Sequence, residues 1–109
     1  MENQNKQTCC ICGNEFEGYG NNPSPIVNRE GARCCDLCNE LIVLPNRLLY
    51  LKGHPVVGDT IHIINMNGEP RYKRREGVIT HIDDLGQLHG TWGGLALIPN
   101  EDEFFICKL

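Results

Sequence analysis

The sequence contains no long hydrophobic run. The longest stretch of aliphatic residues is the four-residue segment from Leu41 to Leu44, whereas a membrane-spanning helix needs about 20 apolar residues. The first residues, Met1 to Gln7, are almost entirely polar and lack the apolar centre of a signal peptide. We therefore expect no membrane contact and a cytoplasmic protein, in which cysteines stay reduced.

Positive charge is also scarce. Ten Lys and Arg stand against 14 Asp and Glu, which gives a net charge of −4. Sequence-independent affinity for nucleic acid comes from cations that neutralise phosphates, so this composition argues against a general nucleic-acid-binding protein. The sequence also lacks a His-Glu-x-x-His motif, a Ser-His-Asp arrangement and a Gly-rich phosphate loop. We therefore expect no enzymatic activity.

Cysteine, in contrast, is abundant, with seven among 109 residues. Four of them form two Cys-x-x-Cys pairs, Cys9 with Cys12 and Cys35 with Cys38. Each pair sets two sulfurs on one side of a turn, and two pairs complete a tetrahedral site for Zn²⁺. A closed sphere of four thiolates has no open position for water, so we expect the zinc to be structural. Disulfides and a redox pair are the alternatives, which the expected compartment and the duplicated motif disfavour.

Three cysteines remain outside this predicted site. No neighbouring residues supply the base and the orienting group that a nucleophilic thiol requires. We expect them to be small buried residues or stand-by metal ligands. They are Cys10, Cys34 and Cys107.

A leucine seam, Leu37, Leu41, Leu44, Leu48 and Leu51, predicts a helix that begins at the second cysteine pair. Pro45 interrupts the seam, so a kink or two short helices are expected. We expect the seam to pack against the second half of the chain, with a dimerisation face as the alternative. Together with a knuckle at the first cysteine pair and a hairpin of residues 25–28 and 32–34, this helix predicts a treble-clef-like module.

The second half of the chain predicts five short strands with β-branched and aromatic residues between turns. Strand alternation predicts a core of Ile61, Ile63, Val78, Ile82, Leu88, Leu97 and Phe104. The predicted fold is a small α+β protein, in which a zinc-stabilised treble-clef-like module precedes a five-stranded SH3-like β-barrel. The predicted strands are Asp59 to Met66, Gly77 to Asp83, Gln87 to Trp92, Leu95 to Leu97 and Phe104 to Cys107. The predicted regions are a polar tail (1–8), the zinc module (9–52), a joint (53–57) and the barrel (58–109).

Basic residues cluster only in the opening loop of this predicted barrel. Four cations and one aromatic residue occur there in sequence, which favours an exposed contact for a protein or a phosphate-bearing ligand. A separate polar set, His62, His81 and His89 with Asp83 and Asp84, is the alternative site for a small ligand. The residues of the predicted partner surface are Arg71, Tyr72, Lys73, Arg74 and Arg75.

Two parts of the chain resemble segments of bacteriophage proteins. The motifs Gly58 to Ile61, Gly77 to His89 and Leu95 to Pro99 resemble a small domain of unknown function from phages and prophages. The segments Ile11 to Pro23 and Cys34 to Asn39 are similar to a phage-borne zinc-ribbon-like segment. The resemblance implies a phage accessory protein that acts in a bacterial cytoplasm, and it implies no particular activity.

Three functional hypotheses follow from these features. The first is a non-enzymatic interaction module that binds a host or phage protein, for example to inhibit a defence system. The second is nucleic-acid binding through the basic loop. The third is a small-ligand binder or enzyme, for instance a pocket that sequesters a signalling nucleotide where the modules or two subunits meet.

Overall fold

The computed structural model describes residues 6–107 of the chain. Residue contacts divide the chain into two compact units, Met1–Arg47 and Leu48–Leu109. The sequence analysis predicted that the first module ends at residue 52, five residues after the boundary at Arg47. Among residues 6–107, no helix combines the length and the apolar character needed to cross a membrane.

The first unit begins with a short hairpin. Strands β1 (Lys6–Thr8) and β2 (Glu15–Glu17) pair in an antiparallel register that sets Gln7 opposite Phe16. Residues 6–8, which the sequence analysis assigned to a polar tail, are therefore part of a strand. The connection between the strands turns sharply at Gly13, whose φ of 82° lies in the left-handed region that favours glycine.

The predicted hairpin of residues 25–28 and 32–34 is wrong. Residues 23–27 instead form a turn in which the amides of Ile26 and Val27 both donate to the carbonyl of Pro23. Ile26 and Val27 are both buried although they are adjacent, which the strict alternation of a strand does not allow. Cys34 pairs instead with Asn21, through two backbone hydrogen bonds of 2.9 and 3.0 Å.

A helical segment follows the second cysteine pair. It consists of α1 (Asp36–Cys38), a π-helical turn (Asn39–Val43) and α2 (Leu44–Leu51). Two short α-helices are what Pro45 predicted, because its ring cannot fit against the carbonyl four residues earlier in a regular α-helix. The wider turn ends at Val43, two residues before this proline.

The leucine seam is not part of the core of either unit, and that prediction is wrong. All five leucines are exposed, from 43% at Leu44 to 84% at Leu51. The buried side of the same helical segment carries Cys38, Val43 and Asn46. The amide of Asn46 donates to the carbonyl of Ile42 at 2.9 Å, which satisfies one of the two N–H groups of this buried side chain.

The second unit contains an antiparallel sheet with the order β5-β4-β3-β6. Four of the five predicted strands form, whereas residues 95–97 contribute only one bridge, between Leu97 and Leu88. Within residues 6–107 the sheet does not close, so the predicted barrel is not confirmed. The strands are β3 (Thr60–Asn65), β4 (Glu76–Ile82), β5 (Leu88–Gly90) and β6 (Glu103–Cys107).

The main hydrophobic core lies in this second unit. Five of the seven predicted core residues are buried: Ile61, Ile63, Leu88, Leu97 and Phe104. Ile82 is partly buried, and Val78 is 38% exposed, so its assignment to the core is wrong. The neighbouring positions face the core instead. The side chain of Ile79 is buried, and the backbone of Gly77 packs closely on that of Trp92. A Cβ atom at position 77 would lie 2.7 Å from the Trp92 nitrogen.

Candidate metal centre and basic loop

The two Cys-x-x-Cys pairs meet in the first unit. The sulfurs of Cys9, Cys12, Cys35 and Cys38 all lie within 4.8 Å of one another, and those of Cys12 and Cys35 are 3.9 Å apart. A tetrahedral ion with metal–sulfur bonds of about 2.3 Å requires sulfur–sulfur distances of about 3.8 Å. All seven cysteines are free thiols. The four residues therefore fit a metal ion, and no other such group of His, Cys, Asp and Glu occurs in residues 6–107.

Local structure holds each pair in place. Cys9 and Cys12 occupy the turn between β1 and β2, where the Cys9 amide donates to the Asn14 carbonyl at 2.8 Å and the Gly13 amide donates to the Cys9 carbonyl at 3.0 Å. Cys35 precedes α1 as its N-cap residue, and Cys38 ends α1. The amide of Cys10 donates to the Arg33 carbonyl at 3.0 Å, which ties the first turn to the strand-like segment before the second pair.

Backbone amides prepare one sulfur for the thiolate form. The Cys9 sulfur accepts hydrogen bonds from the amides of Ile11, Cys12 and Cys35, each at 3.4 Å. Burial alone would raise the pKa of Cys9, but these amides lower it to about 7. Burial raises the pKa of Cys38 and of Cys12. A bound dication would instead lower the pKa of these thiols, because a coordinated thiol loses its proton.

The other cysteines are not part of the cluster. Cys34 is fully buried, and Cys10 and Cys107 are half-buried. Burial, aided by the nearby Cys9, raises the pKa of Cys10 to about 12 and of Cys34 to about 11. Burial also raises the pKa of the Cys107 thiol. Neutral thiols of this kind are poor nucleophiles, which agrees with the predicted role as small buried residues.

The basic loop of the second unit is fixed to strand β3. The Arg74 amide donates to the carbonyl of Ile63, and the Ile63 amide donates to the carbonyl of Arg75, both at 2.8 Å. Arg74 has a φ of 68°, so the chain reverses sharply at this residue. A buried carboxylate, Asp102, fixes the start of the loop by accepting from the Asn67 amide at 2.8 Å. The loop is therefore preorganised.

Two members of the predicted partner surface are engaged within the fold. Tyr72 is only 7% exposed and belongs to the core. The guanidinium of Arg75 lies 4.4 Å from the centre of the Tyr72 ring and donates to the Trp92 carbonyl at 2.9 Å. Arg71, Lys73 and Arg74 are exposed. Arg71, at 78%, lies 3.5 Å from the Glu69 carboxylate, a distant contact.

The histidines do not converge on one site. His62 pairs with Glu76 at 2.9 Å and stacks on Phe105. His89 binds Asp83 at 3.0 Å, and its ring lies 5.6 Å from that of His81. Asp83 also accepts the amides of Leu85 and Gln87, so this group stabilises a hairpin turn. Asp84 is exposed in the same turn.

A cleft of about 650 Å³ lies in the first unit beside Cys10. Its lining includes Thr8, Arg29 and Arg33 together with Glu30. The sequence analysis did not predict it, because the cleft forms between a strand and a loop that are about 20 residues apart. It is open and of mixed charge, and none of the predicted partner-surface residues lines it.

Sequence reasoning also missed Asp102. Its two carboxylate oxygens accept the amides of Asn67 and Ile98, at 2.8 and 2.7 Å. An acidic residue after a Pro-Asn-Glu turn was the only available signal, and it does not reveal a bond to a residue 35 positions away.

Comparisons with protein-family models, with curated proteins and with solved structures found no match for this chain. The functional proposal therefore rests on the geometry of the metal centre and the basic loop.

Proposed function

We propose that this protein is a non-enzymatic zinc-binding interaction module that binds an acidic surface of another protein through Arg71, Lys73 and Arg74. The observation that carries the proposal is the anchored basic loop, which presents these three cations to solvent. Loops held on a rigid frame are common binding elements. A preorganised loop loses less conformational entropy on binding than a flexible one does.

The donor set supports zinc as the metal. Four sulfur ligands suit Zn²⁺, whereas Mg²⁺ and Ca²⁺ prefer oxygen ligands. Four thiolates would also fill the tetrahedral sphere and leave no position for a substrate or a reactive water. The zinc is therefore structural in this proposal, and it maintains the fold of the first unit.

The arrangement of elements supports the two finer fold proposals. In the first unit, a knuckle between β1 and β2 and a helical segment each supply one cysteine pair, as in a treble clef. In the second unit, the last strand pairs with the first, which pairs with the second, and the second pairs with the third. This strand order, with the Leu88–Leu97 bridge, supports an SH3-like domain.

The buried aromatic residues favour a protein partner over nucleic acid. Proteins that bind single strands stack bases on exposed aromatic rings. Tyr72, the aromatic residue of the basic loop, and Trp92, which lies near Arg75, are both buried. The net charge of −4 also opposes attraction to phosphates outside the loop.

The resemblance to phage proteins supports a biological setting for this module. We place it in the cytoplasm of an infected bacterium as a phage accessory protein. Its target is then a host or phage protein with an acidic surface, such as a component of a defence system.

Affinity capture from a bacterial lysate tests the proposed function. The triple variant Arg71→Ala, Lys73→Ala, Arg74→Ala removes three exposed cations of the loop and keeps Arg75, which contacts Tyr72 and Trp92. The control Lys6→Ala, Arg33→Ala, Lys52→Ala removes the same number of positive charges elsewhere. We expect the loop variant to lose a protein that the wild type and the control retain, with or without nuclease treatment.

Two results would contradict the proposal. Capture that disappears after nuclease treatment would assign the loop to nucleic acid. Capture that survives in the loop variant would show that another surface binds the partner.

Increasing salt should weaken the captured complex, because the contacts between exposed charges are screened.

A further inference from the structure

Two of the histidines face each other across the hairpin of β4 and β5, within the second unit. His81 lies directly opposite His89 in the antiparallel register. The next pair, Ile82 and Leu88, belongs to the other face, where Leu88 is buried in the core. Because side chains alternate between the two faces of a strand, both imidazoles lie on the outer face of the sheet.

The spacing of the two rings fits two ligands of one metal ion. The ring centres of His81 and His89 are 5.6 Å apart, and the ring planes are inclined by 38°. A zinc–nitrogen bond is about 2.0–2.1 Å long and the ring centre lies about 1.1 Å behind the nitrogen, so two imidazoles on a tetrahedral ion have centres about 5.2 Å apart. A small rotation of one side chain would bridge the difference.

Asp83 determines which nitrogen of His89 can bind a metal. Its Oδ2 lies 3.0 Å from Nε2 of His89, and its Oδ1 accepts the amides of Leu85 and Gln87. An ionised carboxylate only accepts hydrogen bonds, so Nε2 carries the hydrogen and the lone pair of the neutral imidazole lies on Nδ1. A carboxylate that accepts from the second nitrogen of a ligating histidine is the usual arrangement in metal sites.

His81 is able to turn toward an ion. Its side chain is exposed, and it makes no hydrogen bond within the described residues 6–107. In contrast, His62 lies 2.9 Å from Glu76 and His54 lies 2.7 Å from Asp59. Of these histidines, His81 can therefore change its orientation without breaking an existing bond.

We propose that His81 and His89 form a second metal site, which binds a divalent transition-metal ion such as Zn²⁺, with Asp83 as the residue that positions His89. Imidazole suits ions of this class, whereas Mg²⁺ and Ca²⁺ prefer oxygen ligands. Asp83 is not a third ligand, because both of its oxygens are bound to groups of the hairpin.

This second site differs from the cysteine cluster in its coordination. Two protein ligands leave the remaining positions of the ion to water, whereas four thiolates fill them. The ion at the histidine pair should therefore bind more weakly and exchange more readily than the ion at the cysteine cluster. Neither histidine belongs to the cluster or to the basic loop.

Calorimetric titration of Zn²⁺ into the full zinc-loaded chain tests this inference. We expect one further equivalent to bind at free zinc concentrations below about 1 mM. His81→Gln should raise the dissociation constant at least about tenfold, since a lost ligand weakens binding at least as much as a lost outer partner does. His62→Gln is the matched control, because His62 lies on another strand of the same sheet, and it should bind like the wild type.

The imidazole nitrogen resonances identify the ligands directly. Added Zn²⁺ should shift Nδ1 of His89 and one nitrogen of His81, and it should leave the resonances of His54 and His62 unchanged. Asp83→Asn should raise the dissociation constant about tenfold. Before metal is added, it should also let the proton of His89 occupy either nitrogen, because an amide can donate to Nε2 as well as accept from it. Native Trp92 fluorescence shows that each variant remains folded.

A wild-type chain that binds no further equivalent up to that zinc concentration would overturn the proposal. So would binding that His81→Gln leaves unchanged, or zinc-dependent shifts confined to the first unit or to His54 and His62. An Asp83→Asn variant with the wild-type zinc affinity and the wild-type proton position on His89 would overturn the positioning role of Asp83.

Discussion

Arg75 differs from the other cations of the basic loop. Its guanidinium stacks on the Tyr72 ring and donates to the carbonyl of Trp92, so it covers the edge of the core. Arg71, Lys73 and Arg74 have no comparable contact within residues 6–107. Neighbouring residues of the same charge thus have separate roles, one in stability and three in the proposed binding surface.

This difference predicts unequal results for two alanine variants. Arg75→Ala should lower the free energy of unfolding by about 1 kcal/mol, because it removes a cation–π contact and a charged hydrogen bond. Lys73→Ala should change it by less than about 0.5 kcal/mol. Urea unfolding followed by Trp92 fluorescence measures both values. Equal stability of the two variants would show that the Arg75 contacts contribute nothing.

At the scale of elements, each turn is held by a small set of hydrogen bonds. The turn between β4 and β5 depends on Asp83, whose carboxylate accepts from the amides of Leu85 and Gln87 and binds His89. The hydrogen bond from His89 is the main reason that the pKa of Asp83 lies below its usual value, and the Gln87 amide adds to the effect.

The lowered pKa predicts how stability depends on pH. A carboxyl group with a lower pKa in the folded state stabilises the fold above its unfolded pKa of about 4, and this contribution is lost as pH falls through the folded value. Asp83→Asn should therefore flatten the loss of stability below about pH 4. Asp84→Asn, an exposed neighbour, should retain the wild-type profile. Melting temperatures of the three proteins between about pH 2.5 and 6 provide the measurement.

The turn between β1 and β2 carries Cys9 and Cys12 of the candidate metal centre. Cys35→Ser removes one of the four clustered sulfurs and should release the zinc, because an incomplete sphere binds much more weakly. Cys10→Ser changes a neighbouring thiol outside the cluster and should retain one equivalent. Elemental analysis of the purified proteins measures the number of zinc equivalents that each variant retains. A full equivalent in the Cys35 variant, or none in the wild type, would contradict the assignment.

At the scale of the whole molecule, the two units differ in how they are stabilised. The buried core cluster belongs to residues 61–106, with support from Leu49, Tyr50 and Ile82. The first unit has few buried side chains among the described residues, and two of them, Cys9 and Cys38, belong to the candidate metal centre. A unit with so small a core commonly depends on its metal for folding.

A chelator should therefore affect the units differently. Removing the metal should unfold the first unit and leave the fluorescence of Trp92, the single tryptophan, close to its native value. Amide hydrogen exchange should rise in residues 6–43 and stay low in β3 and β4. Readdition of zinc should reverse the change. Loss of the native Trp92 signal together with the metal would show that the second unit also needs it.

Sequence patterns identified much of the candidate site and part of the fold. The spacing of Cys9, Cys12, Cys35 and Cys38 marked the residues whose sulfurs converge, since short motifs restrict the backbone locally. The pattern did not show that Asn21 pairs with Cys34, or that Asp102 reaches Asn67 across 35 residues. Those contacts depend on parts of the chain that come together only after folding.

Local chemistry by itself determined the cysteine pairs, the break before Pro45 and the positions of β3, β4, β5 and β6, because propensities and turn residues act over a few positions. Only the tertiary structure decided which side of each element is buried. It turned Gly77 inward and Val78 outward, buried Tyr72 within the basic loop and left the leucine seam exposed. Burial depends on the shape of distant neighbours, such as the Trp92 backbone that admits only a glycine at position 77, and a periodic pattern contains no information about those neighbours.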